Sequence, residues 1–239
     1  MTTPSIKVTT RYESIYANDA ARYDAFVRCE DAPHNLPRAL AERAPERPVL
    51  AIEMGAGSGR VTRLLAPLCE RVHAYDASAA MLEVAAVTTS PNVTLAVADN
   101  TSIPEADLVG DLVVAGWTFG HTVGAYPSGW EKVIEDVLHE MMRLVSPRGR
   151  AVILETLGTC VEAPAAPNAA LGAYYTLLER WYGFTREVIR TDYAFASCEQ
   201  AATELGFFFG DEMGARVRER GSANVPEFTG VWTRAQTRT

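Results

Sequence analysis

Short apolar runs alternate with amphipathic stretches through the middle of the chain. Val49, Leu50, Ala51 and Ile52 form one such run, the pattern of a strand covered on both faces. Similar runs recur at 72–75, 93–97, 112–115 and 151–154. Between them, residues 61–68, 78–87 and 130–145 read as helices, the last with a strongly amphipathic pattern. Strands alternating with helices predict a parallel sheet with helices on both faces. Upstream, Tyr12, Ile15, Tyr16, Tyr23 and Phe26 share helical spacing, which predicts a helical segment over 11–29. Pro33 and Pro37 interrupt it before a short helix at 38–43. Downstream the rhythm changes to a helix at 169–182, a strand at 187–195, a helix at 197–205 and a final strand at 228–233. No internal repeat or second-domain boundary is visible. The expected organisation is one domain: a helical cap (1–44), a core (45–160) and a C-terminal segment with closing strands (161–239).

With 48% hydrophobic and 22% charged residues, the composition is that of a folded globular chain, which excludes long disorder. The formal net charge of −8 and the dispersed arginines argue against nucleic acid as a partner, because duplex binding wants a basic stripe. Cys29, Cys69, Cys160 and Cys198 form no C-x-x-C pair, and the histidines complete no zinc pattern. No metal site is expected. The first ten residues lack an apolar signal core, and no run approaches the roughly 20 apolar residues of a membrane span. A cytoplasmic protein with no membrane partner is expected, as a monomer or homodimer.

The most informative segment is Glu53-Met54-Gly55-Ala56-Gly57-Ser58-Gly59. It follows one strand and precedes one helix, where glycines permit a tight turn and a helix N-terminus presents free amides. Asp76 ends the second strand, where an acid is placed to accept from ribose hydroxyls. A dinucleotide site has the spacing G-x-G-x-x-G. Counted from Gly55, its last glycine position holds Arg60, and the third glycine comes one residue early, at Gly59.

On these residues the chain resembles the class I S-adenosylmethionine-dependent methyltransferases, in particular the small-molecule group related to ubiquinone-biosynthesis methyltransferases. The acid-x-G-x-G-x-G motif matches at Glu53 to Gly59, the ribose acid at Asp76, the third-strand acid at Asp99, and the approach to the fifth strand at residues 144–150. The resemblance implies a Rossmann-like α/β fold with a seven-stranded, mostly parallel sheet, helices on both faces and an N-terminal helical cap. It implies S-adenosyl-L-methionine as cofactor. Gly55, Ala56, Gly57 and Gly59 would cradle the methionine portion with Glu53 beside them. Asp76 and Ala77 would meet the ribose, and Met81, Asp99 and Asn100 the adenine. Gly116 and Trp117 would face the methionine amino group and the sulfonium, and Tyr16 of the cap would reach the cofactor.

Methyl transfer from a sulfonium needs alignment, exclusion of water and, for some acceptors, a base. His121, in the loop expected after the fourth strand, is the first candidate, because its ordinary pKa suits neutral pH. Glu155, ending the fifth strand, is the second, and Tyr16 can position the acceptor. The fourth strand is followed by Gly116-Trp117-Thr118-Phe119, without the N/D-P-P-Y/F motif of planar-amine methylation. The expected acceptor is a small organic molecule methylated at O, N or C. Two other readings stand beside this one: a non-catalytic cofactor-binding subunit, and a nucleotide-dependent oxidoreductase disfavoured by the glycine spacing.

Overall fold

The computed structural model describes residues 7–236. In chain order the helices are α1 (Arg11–Asn18), α2 (Ala20–Val27), α3 (Asn35–Arg43), α4 (Thr62–Leu65), α5 (Ala79–Ala86), α6 (Phe119–Ala125), α7 (Trp130–Leu144), α8 (Ala169–Arg180), α9 (Cys198–Phe209) and α10 (Asp211–Arg220). The strands are β1 (Leu50–Met54), β2 (Arg71–Asp76), β3 (Val93–Val97), β4 (Gly110–Gly116), β5 (Val145–Thr159), β6 (Thr185–Arg190), β7 (Tyr193–Ala194), β8 (Asn224–Val225) and β9 (Glu227–Ala235). Seven of them form one sheet in the order β3-β2-β1-β4-β5-β9-β6. Pairings from β3 through β5 are parallel, and β9 runs antiparallel between β5 and β6. The strand order reverses between β1 and β4, which places a ligand crevice beyond their carboxyl ends. β7 and β8 form a separate two-stranded ribbon.

β1 is buried at every position, as its apolar run requires. Helix α7 buries Ile134, Val137, Leu138, Met141 and Leu144 on one sheet face. The other face is covered by α3 and the segment around α4, through Leu36, Leu40, Val61 and Leu65. A third core joins the cap to the C-terminal helices, with Ile15 and Phe26 packed among Tyr193, Leu205 and Phe208.

Several boundaries differ from the sequence pattern, each for a local reason. The expected helix over 11–29 is two helices that meet at Asp19, which caps α1 with φ −128°. α1 itself begins with a capping box, Thr10 accepting from the Glu13 amide and Glu13 from Thr10, which fixes its start. The strand expected at 187–195 is β6 plus the short β7, separated where Asp192 turns inward to accept from Glu227 N at 3.0 Å. The expected loop after β4 is largely helix: α6 carries His121. Helix α10 was not legible as a helix, because its sequence is mostly polar and buries only Gly214 and Val217.

Trp232 on β9 is fully buried. Its ring lies 4.6 Å from that of Tyr175, and its Nε1–H donates to Glu179 Oε1 at 3.0 Å, tying α8 to the sheet. Trp232→Ala is expected to destabilise the fold by about 3–5 kcal/mol, the range for emptying a large aromatic site. Urea denaturation followed by far-UV circular dichroism measures it.

Candidate functional site

The loop after β1 turns in a left-handed conformation at Gly55 (φ +74°) and Gly57 (φ +55°). A Cβ on Gly55 would lie 2.2 Å from Thr118 Oγ1, so glycine lets the loop pass beneath the β4–α6 turn. The amides of Gly55 and Ala56 both donate to Tyr75 O at 2.8 Å. Asp76 is locked against the same loop. Its Oδ2 accepts from Gly57 N and its Oδ1 from Ser78 N, each at 2.8 Å. Burial raises the Asp76 carboxyl, and the two amide donors oppose that rise. Glu53 is buried under the loop and accepts from Thr62 Oγ1 at 2.5 Å. Burial pushes its carboxyl up to about 8.

These elements enclose a first cavity. Its lining includes Tyr16, Glu53, Gly55, Ala56, Gly57, Asp76, Ala77, Met81, Asn100, Gly116 and Trp117, together with His121. Gly59 lies off this wall, packed toward Ala85. Asp99 is exposed and lines an adjoining groove with Asn100 and Tyr16; its Oδ1 accepts from Thr101 N at 2.8 Å and from the Thr101 hydroxyl. The sequence reading missed Tyr23, Ser58, Arg60, Val61 and Thr118 in the lining. Ser58 Oγ and Asn100 Oδ1 are buried without hydrogen-bond partners. A backbone cradle, a fixed carboxylate at a strand end and two unmet polar atoms fit a nucleoside-bearing cofactor.

Trp117 holds φ +49°, a conformation rare for a bulky residue and common at functional sites. Its amide donates to Leu154 O at 2.7 Å, and the Arg60 guanidinium stacks 3.8 Å over its ring. Arg60 in turn pairs with Glu30 at 2.8 Å. Tyr23, Arg60, Trp117 and His121 line both the first cavity and a second one of about 100 Å³. The second is walled by rings of the cap and of the C-terminal segment and contains Glu30, Glu155 and Glu227. Glu155 Oε1 accepts from Gly120 N at 2.7 Å, and burial raises its carboxyl to about 8. His121 Nε2 lies 2.9 Å from the Tyr16 hydroxyl. Burial lowers His121 to about 4 and raises Tyr16 well above its ordinary value. The phenol therefore keeps its proton and the imidazole is neutral, and the two share one hydrogen bond. Among the described residues, no group of three or more His, Cys, Asp or Glu is placed to hold a metal ion, and no helix is long and apolar enough to cross a membrane.

Residues 52–153 match the family model described as a methyltransferase domain. The chain carries a class I, S-adenosylmethionine-dependent methyltransferase domain. Its cofactor is S-adenosylmethionine. Similar solved structures include a protein assigned as a type II methyltransferase from Anaeromyxobacter dehalogenans, 18% identical with a TM-score of 0.62, over 86% of this chain and 97% of that one. DhpI in complex with S-adenosylhomocysteine is 19% identical with a TM-score of 0.58, over 94% and 95%. A chain from the complex of the Haloferax volcanii Trm112 methyltransferase activator with its assigned methyltransferase is 19% identical with a TM-score of 0.56, over 97% and 100%. At these identities the likeness is one of fold. No curated protein matches the chain.

Two outcomes are expected of this methyltransferase site. Asp76→Ala loses a charged acceptor, and hydrogen bonds to charged groups contribute about 1.5–3 kcal/mol. S-adenosylhomocysteine affinity should fall roughly ten- to a hundredfold, read by calorimetric titration, with the far-UV spectrum unchanged. The second concerns pH. Glu53 and Glu155 sit near 8 in the fold, against about 4.3 in an unfolded chain. Between those values the native state binds more protons. Stability is fully present below about 4.3 and is lost as pH rises toward 8. The melting temperature of the ligand-free protein should fall across that window, and Glu155→Gln should flatten part of the slope.

Proposed function

We propose that this enzyme methylates a small organic acceptor held in the second cavity, with Glu155 taking up the proton that the acceptor releases. The observation that carries this reading is the shared wall. Tyr23, Arg60, Trp117 and His121 border both cavities, so a molecule in the second abuts the cofactor's reacting end. An enclosed aromatic chamber also favours an acting enzyme over a non-catalytic cofactor-binding subunit, which has no use for it. At about 100 Å³ the cavity is smaller than the roughly 150 Å³ that accepts a single aromatic ring, which suits a small aliphatic acceptor.

When bound, S-adenosylmethionine supplies an electrophilic methyl group on a sulfonium. The chain's residues align the nucleophile for in-line displacement and exclude water. The cap rings of Tyr12 and Tyr23 line the second cavity. Of the two candidate bases, Glu155 is the better matched. A general base works best near the operating pH, and burial brings Glu155 to about 8 but His121 to about 4. His121 is instead a positioning residue that fixes the Tyr16 hydroxyl at the junction.

The test is incubation of the protein and methyl-labelled cofactor with a small-molecule metabolite extract, followed by chromatography of the labelled products. Label in a small organic product supports the reading; label only in protein or nucleic acid overturns it. With that product in hand, Glu155→Gln is expected to lower kcat by about 10² to 10⁴-fold while S-adenosylhomocysteine affinity is kept. His121→Ala is expected to change KM more than kcat. The reverse pattern would make His121 the base.

A further inference from the structure

The second cavity contains more carboxyl groups than its own cations can pair. Arg60 is its single arginine or lysine, and Glu30, 2.8 Å away with a side chain 3% exposed, already pairs with it. Glu155 and Glu227 remain, 3% and 2% exposed. Glu227 Oε1 accepts from the Thr156 hydroxyl at 2.7 Å, whereas its Oε2 is buried with no hydrogen-bond partner. Both residues line the chamber. Around them stand Tyr12, Tyr23, Phe26, Tyr193 and Phe208, with Phe26 stacked on Tyr193 at 5.3 Å and Tyr23 the same distance from Phe208. Aromatic faces attract cations, and a buried carboxylate needs a charged or hydrogen-bonding partner.

We infer that the acceptor is a small primary or secondary amine, bound as its ammonium ion by Glu155 and Glu227 within this aromatic chamber, and methylated on that nitrogen. The inference rests on the methyltransferase reading of the adjoining site. A carboxylate or phosphate ligand would meet two unpaired acids. A divalent metal is disfavoured because, among the described residues, no three His, Cys, Asp or Glu donors converge. A neutral ligand without an N–H or O–H donor leaves Glu227 Oε2 unmet, and an alcohol meets it without supplying a charge. The titratable groups facing the pair are Glu30, Arg60, His121, Tyr174, Tyr175 and Tyr193. Of these, His121 is neutral near pH 7 and the tyrosines keep their protons. Neither kind supplies a countercharge.

The step balances. The ammonium gives one proton to the Glu155 carboxylate, leaving a neutral amine with its lone pair free. That pair forms the new N–CH3 bond as the C–S bond breaks, and the bonding electrons of the latter remain on sulfur. The product is a methylated ammonium ion beside Glu227, and Glu155 then returns its proton to solvent.

The test is calorimetric titration of the protein, with and without saturating S-adenosylhomocysteine, by a panel of small amines. Each amine is paired with its isosteric alcohol and with a carboxylate of similar size; n-butylamine, n-butanol and butanoate form one set. At least one amine is expected to bind ten times or more tighter than its alcohol, and the carboxylates weakest. Glu227→Gln and Glu155→Gln should each erase most of that preference while leaving S-adenosylhomocysteine affinity and the far-UV circular dichroism spectrum near wild type. Titrations in buffers of different ionisation enthalpy should show proton release on amine binding at pH 7, because an ammonium draws raised carboxyl groups into their ionised form, and Glu155→Gln should reduce that release. Equal binding of amine and alcohol, no amine binding at all, or an amine preference that survives both substitutions overturns the inference. Failure to bind S-adenosylhomocysteine overturns the methyltransferase reading instead, and the amine arm without it is scored separately.

Discussion

The site depends on how the fold accommodates one buried arginine. Arg60 leaves the glycine loop at the start of the segment leading to α4, and the loop's direction points it between two cavities rather than into water. A buried guanidinium is tolerated only when it is paired and its remaining face is covered. Glu30, just beyond α2, supplies the charge at 2.8 Å. Trp117, at the end of β4, supplies the face at 3.8 Å. One side chain thereby joins the cap, the cofactor loop and the strand end that define the crevice. Removing a single partner of a buried ion pair typically costs about 3–5 kcal/mol. The left-handed Trp117 backbone, which costs about 1–3 kcal/mol, is held in place by the same stack. The cap is therefore part of the site.

That bridge also separates two electrostatic environments. On the cofactor side, Asp76 is held by amide donors, and Glu53 is held by the Thr62 hydroxyl with Arg63 nearby. On the far side, the carboxyls are desolvated by aromatic rings and β-sheet. Burial raises both Glu53 and Glu155 to about 8, but only Glu155 borders the second chamber. Similar shifts thus have different uses, because topology decides what each carboxyl can touch.

Much of this was legible in the chain itself. The doubly wound core follows from uniformly apolar strand runs, and the glycine spacing with Asp76 pointed to residues that line the first cavity, because both depend on local chemistry at fixed offsets. Eleven of the thirteen residues expected around the cofactor do line that cavity, with Gly59 and Asp99 beside it. The second chamber was far less visible. Arg60 registered only as an arginine where a dinucleotide site wants glycine, and Glu30 and Glu227 are lone acids in unremarkable surroundings. Their meeting is a tertiary event: β9 returns antiparallel between β5 and β6 and brings Glu227 beside Thr156. Likewise, the polar α10 and the break between α1 and α2 are set by packing and capping, which periodicity alone does not report.

Charge conservation links the two cavities more tightly than their shared wall does. With Arg60 and Glu30 cancelling, Glu155 and Glu227 carry two negative charges, and a sulfonium with an ammonium brings two positive ones. After the proton moves to Glu155, one negative and one positive charge remain. After the methyl group moves, Glu227 faces a methylated ammonium and the sum is again zero. Across these four groups the charges sum to zero at each stage, and burying an uncompensated charge would otherwise cost several kcal/mol. An alcohol acceptor gives a different account. It brings no positive charge, so Glu227, raised by burial to about 8, would keep its proton and make no ionic contact with the acceptor. The two acids are therefore matched in number to a cationic acceptor, and the aromatic walls that make their burial costly also make the match selective.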